Sequence, residues 1–212
     1  LQKKAPNGDG SILYGTITEN GTYNFTATVT DSLGNKCSQN HTIVVYPKLE
    51  ITSTCPLGVG TNRTAYTANL TAKGGKLGYT WSIVPPSSLP QGLLLNATTG
   101  RISGTPPAAG NFTFTYQVTD TCSQNATKNC TIAIYEPLTC NQTITLPCLY
   151  NGKTLAETVA FSATGGKPPY AWVLTPIGSS KALPNGLLQK KAPNGDGSIL
   201  YGTITENGTY NF

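Results

Sequence analysis

Residues 92–120 decide the fold and read Gly-Leu-Leu-Leu-Asn-Ala-Thr-Thr-Gly-Arg-Ile-Ser-Gly-Thr-Pro-Pro-Ala-Ala-Gly-Asn-Phe-Thr-Phe-Thr-Tyr-Gln-Val-Thr-Asp. Two short strands and a Pro/Gly corner lead into a strand of strict alternation, in which four apolar residues share one face: Phe112, Phe114, Tyr116 and Val118. This two-residue period predicts a sheet with one buried and one solvent-facing side. Short strands separated by Gly and Pro at this spacing predict an antiparallel β-sandwich.

The same stretch resembles a known family of repeats. The motifs Gly92-Leu-Leu-Leu-Asn, Thr99-Gly-Arg-Ile-Ser-Gly-Thr-Pro and Val118-Thr-Asp occur in the order typical of the Ig-like He_PIG repeat, which is related to cadherin-like modules. That repeat is found in bacterial and archaeal cell-surface proteins. The resemblance implies an all-β fold of tandem Ig-like antiparallel β-sandwich modules with Greek-key connections.

The first 25 residues occur twice. Leu1–Phe25 recurs letter for letter as Leu188–Phe212, a shift of 187 residues. A shared fold preserves a pattern of residue types but not every letter, so the identity needs another origin. It indicates a tandem array with a period of 187 residues or an overlapping window on a repeating polymer. A circularly permuted sequence is the alternative.

Alignment of the two repeats divides the chain into three segments. Residues 48–137 are predicted to be one complete module A. Residues 138–212 are predicted to be the N-terminal part of a module B, and residues 1–47 the C-terminal half of a module B. The corner Gly15–Phe25 lines up with Gly104–Phe114. The window therefore begins and ends within a module, and a segment like 1–47 completes 138–212.

The predicted strands follow the same alignment. They cover residues 14–18, 21–31, 40–46, 49–54, 65–72, 79–84, 93–95, 101–105, 112–119, 130–135, 159–164, 170–175, 187–188 and 199–205. Residues 190–197 contain Asn-Gly and Asp-Gly and predict the tip of a hairpin.

Two tryptophans occupy matching positions in the two module types. Gly74–Trp81 and Gly165–Trp172 share a Gly-Gly-Lys start and an aromatic pair. Both tryptophans alternate in phase with apolar neighbours and are predicted to fill the core between the sheets. The alternative is a sugar-stacking platform formed by Tyr79 and Trp81.

Asn-x-Thr sequons are the strongest chemical signal. Eleven of the seventeen asparagines stand in this motif, the acceptor for N-glycosylation of exported proteins. They are Asn20, Asn24, Asn40, Asn62, Asn69, Asn96, Asn111, Asn125, Asn129, Asn141 and Asn207. No Asn-x-Ser occurs, and several of the sequons lie on the polar phase of a strand. Heavy N-glycosylation is the interpretation that we favour over an Asn/Thr-rich protein with accidental matches.

The six cysteines point to disulfides. Cys37, Cys55, Cys122, Cys130, Cys140 and Cys148 lack Cys-x-x-Cys spacing, and the chain has a single histidine, His41, so a zinc site is not expected. Disulfides are the default in an oxidising compartment. Since the first strand of an Ig-like sandwich runs near the last, bridges between these strands are expected within modules. Each module type owns three cysteines, so at least one bridge crosses between modules or chains if all are oxidised.

Other functions find little support in the residues. Calcium is implied by cadherin-like relatives, but the four aspartates are scattered, and Asp31 and Asp120 can cap turns instead. Neither a Ser/His/Asp set nor paired carboxylates can be assembled, so we expect no enzyme and no catalytic residues. The net charge of +5 is not clustered, which argues against nucleic-acid binding. No apolar run is long enough for a membrane span.

We therefore expect a structural unit of an extracellular filament, stalk or surface layer, stabilised by disulfides and coated with covalent glycans. Its partners are copies of itself, joined head to tail as a covalent array or as subunits that donate strands to their neighbours. Short linkers with a proline, such as Tyr46–Lys48, stiffen the junctions. The alternative is a cell-surface adhesin or a carbohydrate- or protein-binding module.

Overall fold

In the part that the computed structural model describes, the chain folds into β-strands and contains no helix. That part comprises residues 1–6, 10–140, 148–175, 183–193 and 197–208, with the backbone alone for 157–160. None of these residues belongs to a helix that is long and apolar enough to cross a membrane. Asn141 and residues 194–196 of the hairpin tip predicted at 190–197 lie outside the described residues.

Two separate hairpins begin the chain. β1 (Gln2–Lys4) pairs with β2 (Ser11–Leu13), and β3 (Gly21–Thr30) pairs with β4 (Lys36–Val45), both antiparallel. Each hairpin is a two-stranded sheet by itself. We refer to β3 and β4 together as the donor hairpin.

The next nine strands form a β-sandwich, which we call the sandwich. They are β5 (Glu50–Ile51), β6 (Gly60–Thr61), β7 (Tyr66–Asn69), β8 (Ala72–Lys73), β9 (Thr80–Ile83), β10 (Leu93–Leu95), β11 (Arg101–Gly104), β12 (Gly110–Thr119) and β13 (Asn125–Tyr135). One layer has the order β6-β13-β12-β9. The other consists of β10-β11-β7 and the pair β5-β8.

Four strands follow in a single sheet, which we call the C-terminal sheet. They are β14 (Thr139–Cys140), β15 (Thr154–Thr164), β16 (Leu187–Lys191) and β17 (Gly197–Thr203), in the order β14-β15-β17-β16. All of their pairings are antiparallel.

The hydrophobic core lies between the two layers of the sandwich. It contains the alternating residues of β12, and Phe114, Tyr116 and Val118 are fully buried there. Trp81 is 4% exposed and packs beside Tyr116, with 6.1 Å between ring centroids. The predicted core position of Trp81 is thus confirmed, and its burial rules out the sugar-stacking platform. The C-terminal sheet has a smaller cluster around Leu155, Leu187 and Leu200.

Two predicted strands are absent and one is interrupted, while the strand predicted at 49–54 is reduced to Glu50–Ile51. The strand predicted at 65–72 is interrupted because its partner changes: Leu70 donates to Gly100, whereas Thr71 accepts from Thr52. The strand predicted at 14–18 is absent, and β2 ends at Leu13, which pairs with Gln2 of β1. Residues 170–175 are not a strand either, for a reason that concerns the functional site.

Candidate functional site

The donor hairpin repeats the register of the two central strands of the sandwich. Its ten residue pairs run from Gly21–Val45 to Thr30–Lys36. The ten pairs of β12 and β13 run from Gly110–Ile134 to Thr119–Asn125. Every residue of the first set therefore corresponds to the residue 89 positions later in the second. The two hairpins fold the same way because both alternate apolar and polar residues along the first strand and begin the turn with an aspartate, Asp31 or Asp120.

The turns of the two hairpins are built alike around one aspartate. Asp31 Oδ1 accepts hydrogen bonds from the backbone N–H groups of Leu33 and Asn35, at 2.9 and 2.8 Å. Asp120 Oδ1 accepts from Cys122 and Gln124 at 2.9 and 2.8 Å. The predicted turn-capping role of both aspartates is confirmed.

Asp120 makes one further contact that defines where the turn sits. Its Oδ2 accepts from the backbone N–H of Lys76 at 2.8 Å, which joins the β12–β13 turn to the Gly74–Lys76 loop of the opposite layer. Burial raises the pKa of Asp120, but the hydrogen bonds from Lys76, Gln124 and Cys122 outweigh it and leave the pKa lowered. The Asn35 side chain is the main cause of the lowered pKa of Asp31.

The inward face of the donor hairpin is not covered as it is in the sandwich. Phe25 is 37% exposed, whereas its counterpart Phe114 is 1% exposed. Val29 is 66% exposed, whereas its counterpart Val118 is fully buried. Exposing an apolar residue costs roughly 1.5–3 kcal/mol relative to burying it. The hairpin thus presents a core face without a second layer over it.

The C-terminal sheet repeats the opposite layer of the sandwich. Glu50 and Ile51 pair with Lys73 and Ala72, just as Thr139 and Cys140 pair with Thr164 and Ala163. Pairs of glycines with positive φ follow β8 and β15: Gly74 and Gly75, and Gly165 and Gly166. In both places the second glycine donates to the segment before the first strand, from Gly75 to Pro47 at 2.8 Å and from Gly166 to Glu136 at 2.7 Å.

A Cβ atom cannot be added at these turns. At Gly74 it would lie 2.0 Å from the Lys48 oxygen, and at Gly165 it would lie 2.0 Å from the Pro137 oxygen. The two layers are therefore held by the same close approach of backbone to backbone, which only glycine permits. The tyrosines Tyr79 and Tyr170 then donate to the carbonyls of Gly74 and Gly165.

Residues 171–174, the counterparts of β9, do not pair with any strand in the described part of the chain. In the sandwich, β9 pairs with β12 through Trp81–Val118 and three neighbouring pairs. The corresponding residues 171–174 carry no strand assignment. Trp172 is only half-buried and lies 5.8 Å from the Phe161 ring. The strand predicted at 170–175 is therefore absent from the structure, because no described strand pairs with these residues.

The duplicated residues fold into the same hairpin in both copies. Gln2 pairs with Leu13 as Gln189 pairs with Leu200. In each copy a lysine lies over a tyrosine ring, Lys3 over Tyr14 at 5.4 Å and Lys190 over Tyr201 at 5.1 Å. Leu200 is nevertheless buried and Leu13 is exposed, because only the second copy pairs with a strand like β15.

One disulfide is present. Cys55, which precedes β6, bonds to Cys130 of β13 with 5.3 Å between Cα atoms. This is a bridge between the start of the sandwich and its last strand, as the resemblance implied. The other four cysteines are free and exposed: Cys37, Cys122, Cys140 and Cys148.

The sequon asparagines are mostly on the surface. Nine of those described are exposed: Asn20, Asn24, Asn40, Asn69, Asn96, Asn111, Asn125, Asn129 and Asn207. Three accept a cross-strand hydrogen bond through the side-chain oxygen: Asn24 from Thr42 at 2.7 Å, Asn40 from Thr26 at 2.8 Å and Asn129 from Thr115 at 2.6 Å. The side-chain oxygen makes this bond, so the amide nitrogen, the atom to which N-glycosylation attaches a sugar, is not used in it.

Asn62 is arranged in the opposite way. It is 3% exposed, and its amide nitrogen donates to Glu136 Oε2 at 2.8 Å. A glycan on that nitrogen would break the bond and would have no room. Although Asn62 stands in a sequon, the fold removes it from the set of accessible acceptors.

No cluster of metal-ligating side chains is assembled in the described part of the chain. There is no group of three or more His, Cys, Asp or Glu side chains that could hold a metal ion among these residues. His41 stacks on Phe25 within the donor hairpin, with 5.4 Å between ring centroids. The donor hairpin and the C-terminal sheet are two elements of the described chain that each have one layer only.

Comparison with known proteins locates the family match in the sandwich. Residues 50–135 match the family model He_PIG, described as "Putative Ig domain". No match was found among curated protein sequences.

Solved structures similar to the chain include three large proteins. A putative alpha-galactosidase from Bacteroides fragilis is 26% identical with a TM-score of 0.37; the match covers 42% of this chain and 18% of that one. The human desmocollin-1 ectodomain is 13% identical with a TM-score of 0.42, covering 86% and 40%. The first eight Ig domains of Down syndrome cell adhesion molecule are 12% identical with a TM-score of 0.48, covering 97% and 30%. The chain spans less than a fifth of the galactosidase.

Proposed function

Because residues 50–135 are an Ig-like module of the He_PIG family, we propose that the chain is a repeating unit of an extracellular filament. In this filament the donor hairpin of one unit provides the second layer of the C-terminal sheet of another. The unit partner is a further copy of the same sequence. The observation that carries the proposal is the identical ten-pair register of the donor hairpin and of β12–β13, combined with its exposed core face.

The sandwich supports the proposal because it offers a template for the completed module. Its two layers are the counterparts of the C-terminal sheet and of the donor hairpin, with each counterpart in the same register. Burying the hairpin face would remove the side chains of Tyr23, Phe25, Val29 and Ile43 from water. Each Å² of apolar surface that is buried contributes about 25 cal/mol, so covering these four side chains would stabilise the complex between two units. A two-stranded hairpin is marginal by itself, so such a partner is needed.

The repeated residues define how one unit follows the next. Asn20–Gly21 at the start of the donor hairpin and Asn207–Gly208 after β17 are the same residues of the repeat. The donor hairpin therefore begins its own layer at the point of the repeat where the chain has just left β17. This order works equally for a covalent array with a 187-residue period and for separate subunits that exchange hairpins. The mass of the native protein under denaturing, reducing conditions decides between them.

We further propose that the filament carries N-linked glycans on the nine exposed sequon asparagines. The exposed faces of β3–β4 and β12–β13 both present Asn and Thr in cross-strand pairs, and these faces would remain outside after assembly. The disulfide Cys55–Cys130 belongs to an oxidising compartment, which agrees with a place outside the cell. Glycopeptide mass spectrometry of the native protein tests the occupancy.

The assembly is tested with one substitution on each face of the donor hairpin. Phe25→Asp places a charge on the inward face, and Thr28→Asp places the same charge on the outward face. The parent chain and Thr28→Asp should form filaments in electron microscopy and large species in light scattering. Phe25→Asp should remain monomeric. Equal assembly of all three proteins would refute the proposal.

A further inference from the structure

The first strand of the sandwich runs alongside β13 with a constant register. Leu49 N donates to Gln124 Oε1 at 3.3 Å, Lys128 Nζ donates to the Ser53 oxygen at 2.5 Å, and Cys55 bonds to Cys130. In all three contacts the sequence separation is 75. Because this separation is constant, the segment from Leu49 to Cys55 keeps one register along β13.

The same register places Ile51 beside Ala126. These two residues stand between the Leu49 and Ser53 contacts, and both are partly buried against the core. Ile51 and Cys55 share one face, because burial alternates between them: Ile51, Ser53 and Cys55 are at least half-buried, whereas Thr52 and Thr54 are exposed. Ala126 and Cys130 likewise share one face of β13. The Ile51–Ala126 position is therefore a second place at which the two segments can be bridged.

Both counterparts of that position are cysteines. Cys140 is the counterpart of Ile51, because it pairs with Ala163 as Ile51 pairs with Ala72. Cys37 is the counterpart of Ala126, because it pairs with Val29 as Ala126 pairs with Val118. Cys140 and Cys37 are exposed and free in the single chain.

The position used in the sandwich is not available in the other pair. Cys130 has His41 as its counterpart in the donor hairpin, which pairs with Phe25 as Cys130 pairs with Phe114. A bridge at that position cannot form there. Cys37 stands four residues before His41, just as Ala126 stands four residues before Cys130. Cys140 is the counterpart of Ile51, which stands four residues before Cys55.

We propose that Cys37 of the donor hairpin and Cys140 of the C-terminal sheet that it completes form a disulfide, an inference that rests on the proposed hairpin exchange. The bond links consecutive units and locks the hairpin in place. It makes the filament resistant to denaturation without reduction. A covalent cross-link that closes a large loop or joins two subunits stabilises mainly by restricting the unfolded state.

The bond forms by thiol–disulfide exchange with an external disulfide as the oxidant. The Cys140 thiolate attacks one sulfur of the oxidant, forms a mixed disulfide and releases one thiol. The Cys37 thiolate then attacks the Cys140 sulfur and releases the second thiol. Two cysteine thiols lose two electrons and two protons, and the oxidant disulfide takes them up as it is reduced to two thiols.

The test uses the full chain with Cys122 and Cys148 replaced by serine, so that two free cysteines remain. After incubation with oxidised glutathione, non-reducing gel electrophoresis should show a ladder of covalent oligomers, and a reductant should collapse it to the monomer. Digestion with trypsin and chymotrypsin should release a linked pair of peptides containing Cys37 and Cys140. Linkage of either cysteine to itself in a second chain would overturn the pairing.

Two single variants in the same background sharpen the result. C37S and C140S alone should each lose the ladder, whereas an equimolar mixture should give a covalent dimer and nothing longer. The dimer forms because one chain keeps the donor thiol and the other keeps the acceptor thiol. Ladders from either single variant would contradict the proposal, and so would a Cys37–Cys140 bridge confined to monomers.

Light scattering under reducing conditions separates this inference from the proposed function. If non-covalent oligomers form but the ladder does not, the disulfide pairing is wrong and the hairpin exchange stands. If neither forms, the hairpin exchange itself is refuted.

Discussion

Phe25 and His41 are paired across β3 and β4 at the position that Phe114 and Cys130 hold in the sandwich. The rings of Phe25 and His41 stack on each other with 5.4 Å between centroids. Phe114 instead packs into the core and lies 6.0 Å from Tyr116. The same strand pair is thus present twice, once with a second layer over it and once without.

We expect alanine at these two phenylalanine positions to have very different effects on stability. Phe114→Ala leaves a cavity in a closed core, so the free energy of unfolding of the sandwich should fall by about 3–5 kcal/mol. Phe25→Ala removes a partly exposed ring, so the free energy of unfolding of the isolated chain should change by only about 0.5 kcal/mol. Urea denaturation of the monomer measures both. A loss of several kcal/mol for Phe25→Ala in the monomer would mean that its ring is already buried.

Removal of the Cys55–Cys130 bridge should destabilise the sandwich by about 4 kcal/mol, given the sequence separation of 75 residues that the bond closes. The double variant Cys55→Ser/Cys130→Ser should therefore unfold at a lower urea concentration than the parent chain. Cys122→Ser is the matched control, because Cys122 is exposed and free. If both variants unfold like the parent, the bridge does not restrict the unfolded chain as expected.

Acid should weaken the sandwich through Asp120. Since hydrogen bonds to Lys76, Gln124 and Cys122 lower its pKa in the folded state, its contribution is present above the unfolded pKa of about 3.9. That contribution is lost as the pH falls through the folded value. Stability measured by urea between pH 7 and pH 2 should decline below about pH 4. Asp120→Asn should be less stable at pH 7 and show a shallower decline; an unchanged slope would assign the acid effect to other groups.

Much of this fold was predictable from the alternation of residues. The long strands β3, β12 and β13 follow a strict two-residue period, and the core position of Trp81 follows from it. The equivalence of the donor hairpin with β12–β13 was visible in the alignment of Gly15–Phe25 with Gly104–Phe114. Turn capping by Asp31 and Asp120 was also predictable, because each aspartate closes a Val-Thr-Asp motif at the end of a long strand.

Contacts that depend on a partner strand were not predictable. Residues 170–175 have the composition of a strand, but a strand needs a neighbour to accept its hydrogen bonds. The burial of Asn62 could not be predicted from the sequon either, because it depends on a hydrogen bond to Glu136, which is 74 residues later in the sequence. The disulfide register needed three contacts at one separation, which no local pattern in the sequence supplies.

Glycan occupancy should follow the geometry of each asparagine rather than the sequon alone. Asn24, Asn40 and Asn129 are exposed and should carry glycans in the native protein, whereas Asn62 should be bare. Peptide mass spectrometry with an enzymatic deglycosylation step measures the occupancy at each site. Thr64→Ala, which destroys the sequon and leaves Asn62 in place, is expected to change no glycan mass. A glycan on Asn62 would show that modification precedes folding.

Assembly should convert residues 171–174 into a strand. In the sandwich, Trp81 pairs with Val118 and Ile83 pairs with Tyr116. By the same register, Trp172 should pair with Val29 and Leu174 with Ala27 of the incoming donor hairpin. Ladder hydrogen bonds protect backbone amides from exchange with solvent. Hydrogen exchange at 171–174 should therefore slow markedly on assembly.

Tryptophan fluorescence gives an independent reading of the same event. Trp81 is already buried, so the emission shift on assembly should come from Trp172, which is half-buried in the single chain. A blue shift is expected for the parent chain and for Trp81→Phe, and none for Trp172→Phe. In the hydrogen-exchange experiment, the backbone amides of β12 serve as the internal control, because β12 is paired with a strand on both sides before assembly. If filaments form while residues 171–174 exchange as fast as in the monomer, the hairpin does not enter beside them, and the units must be joined through another surface.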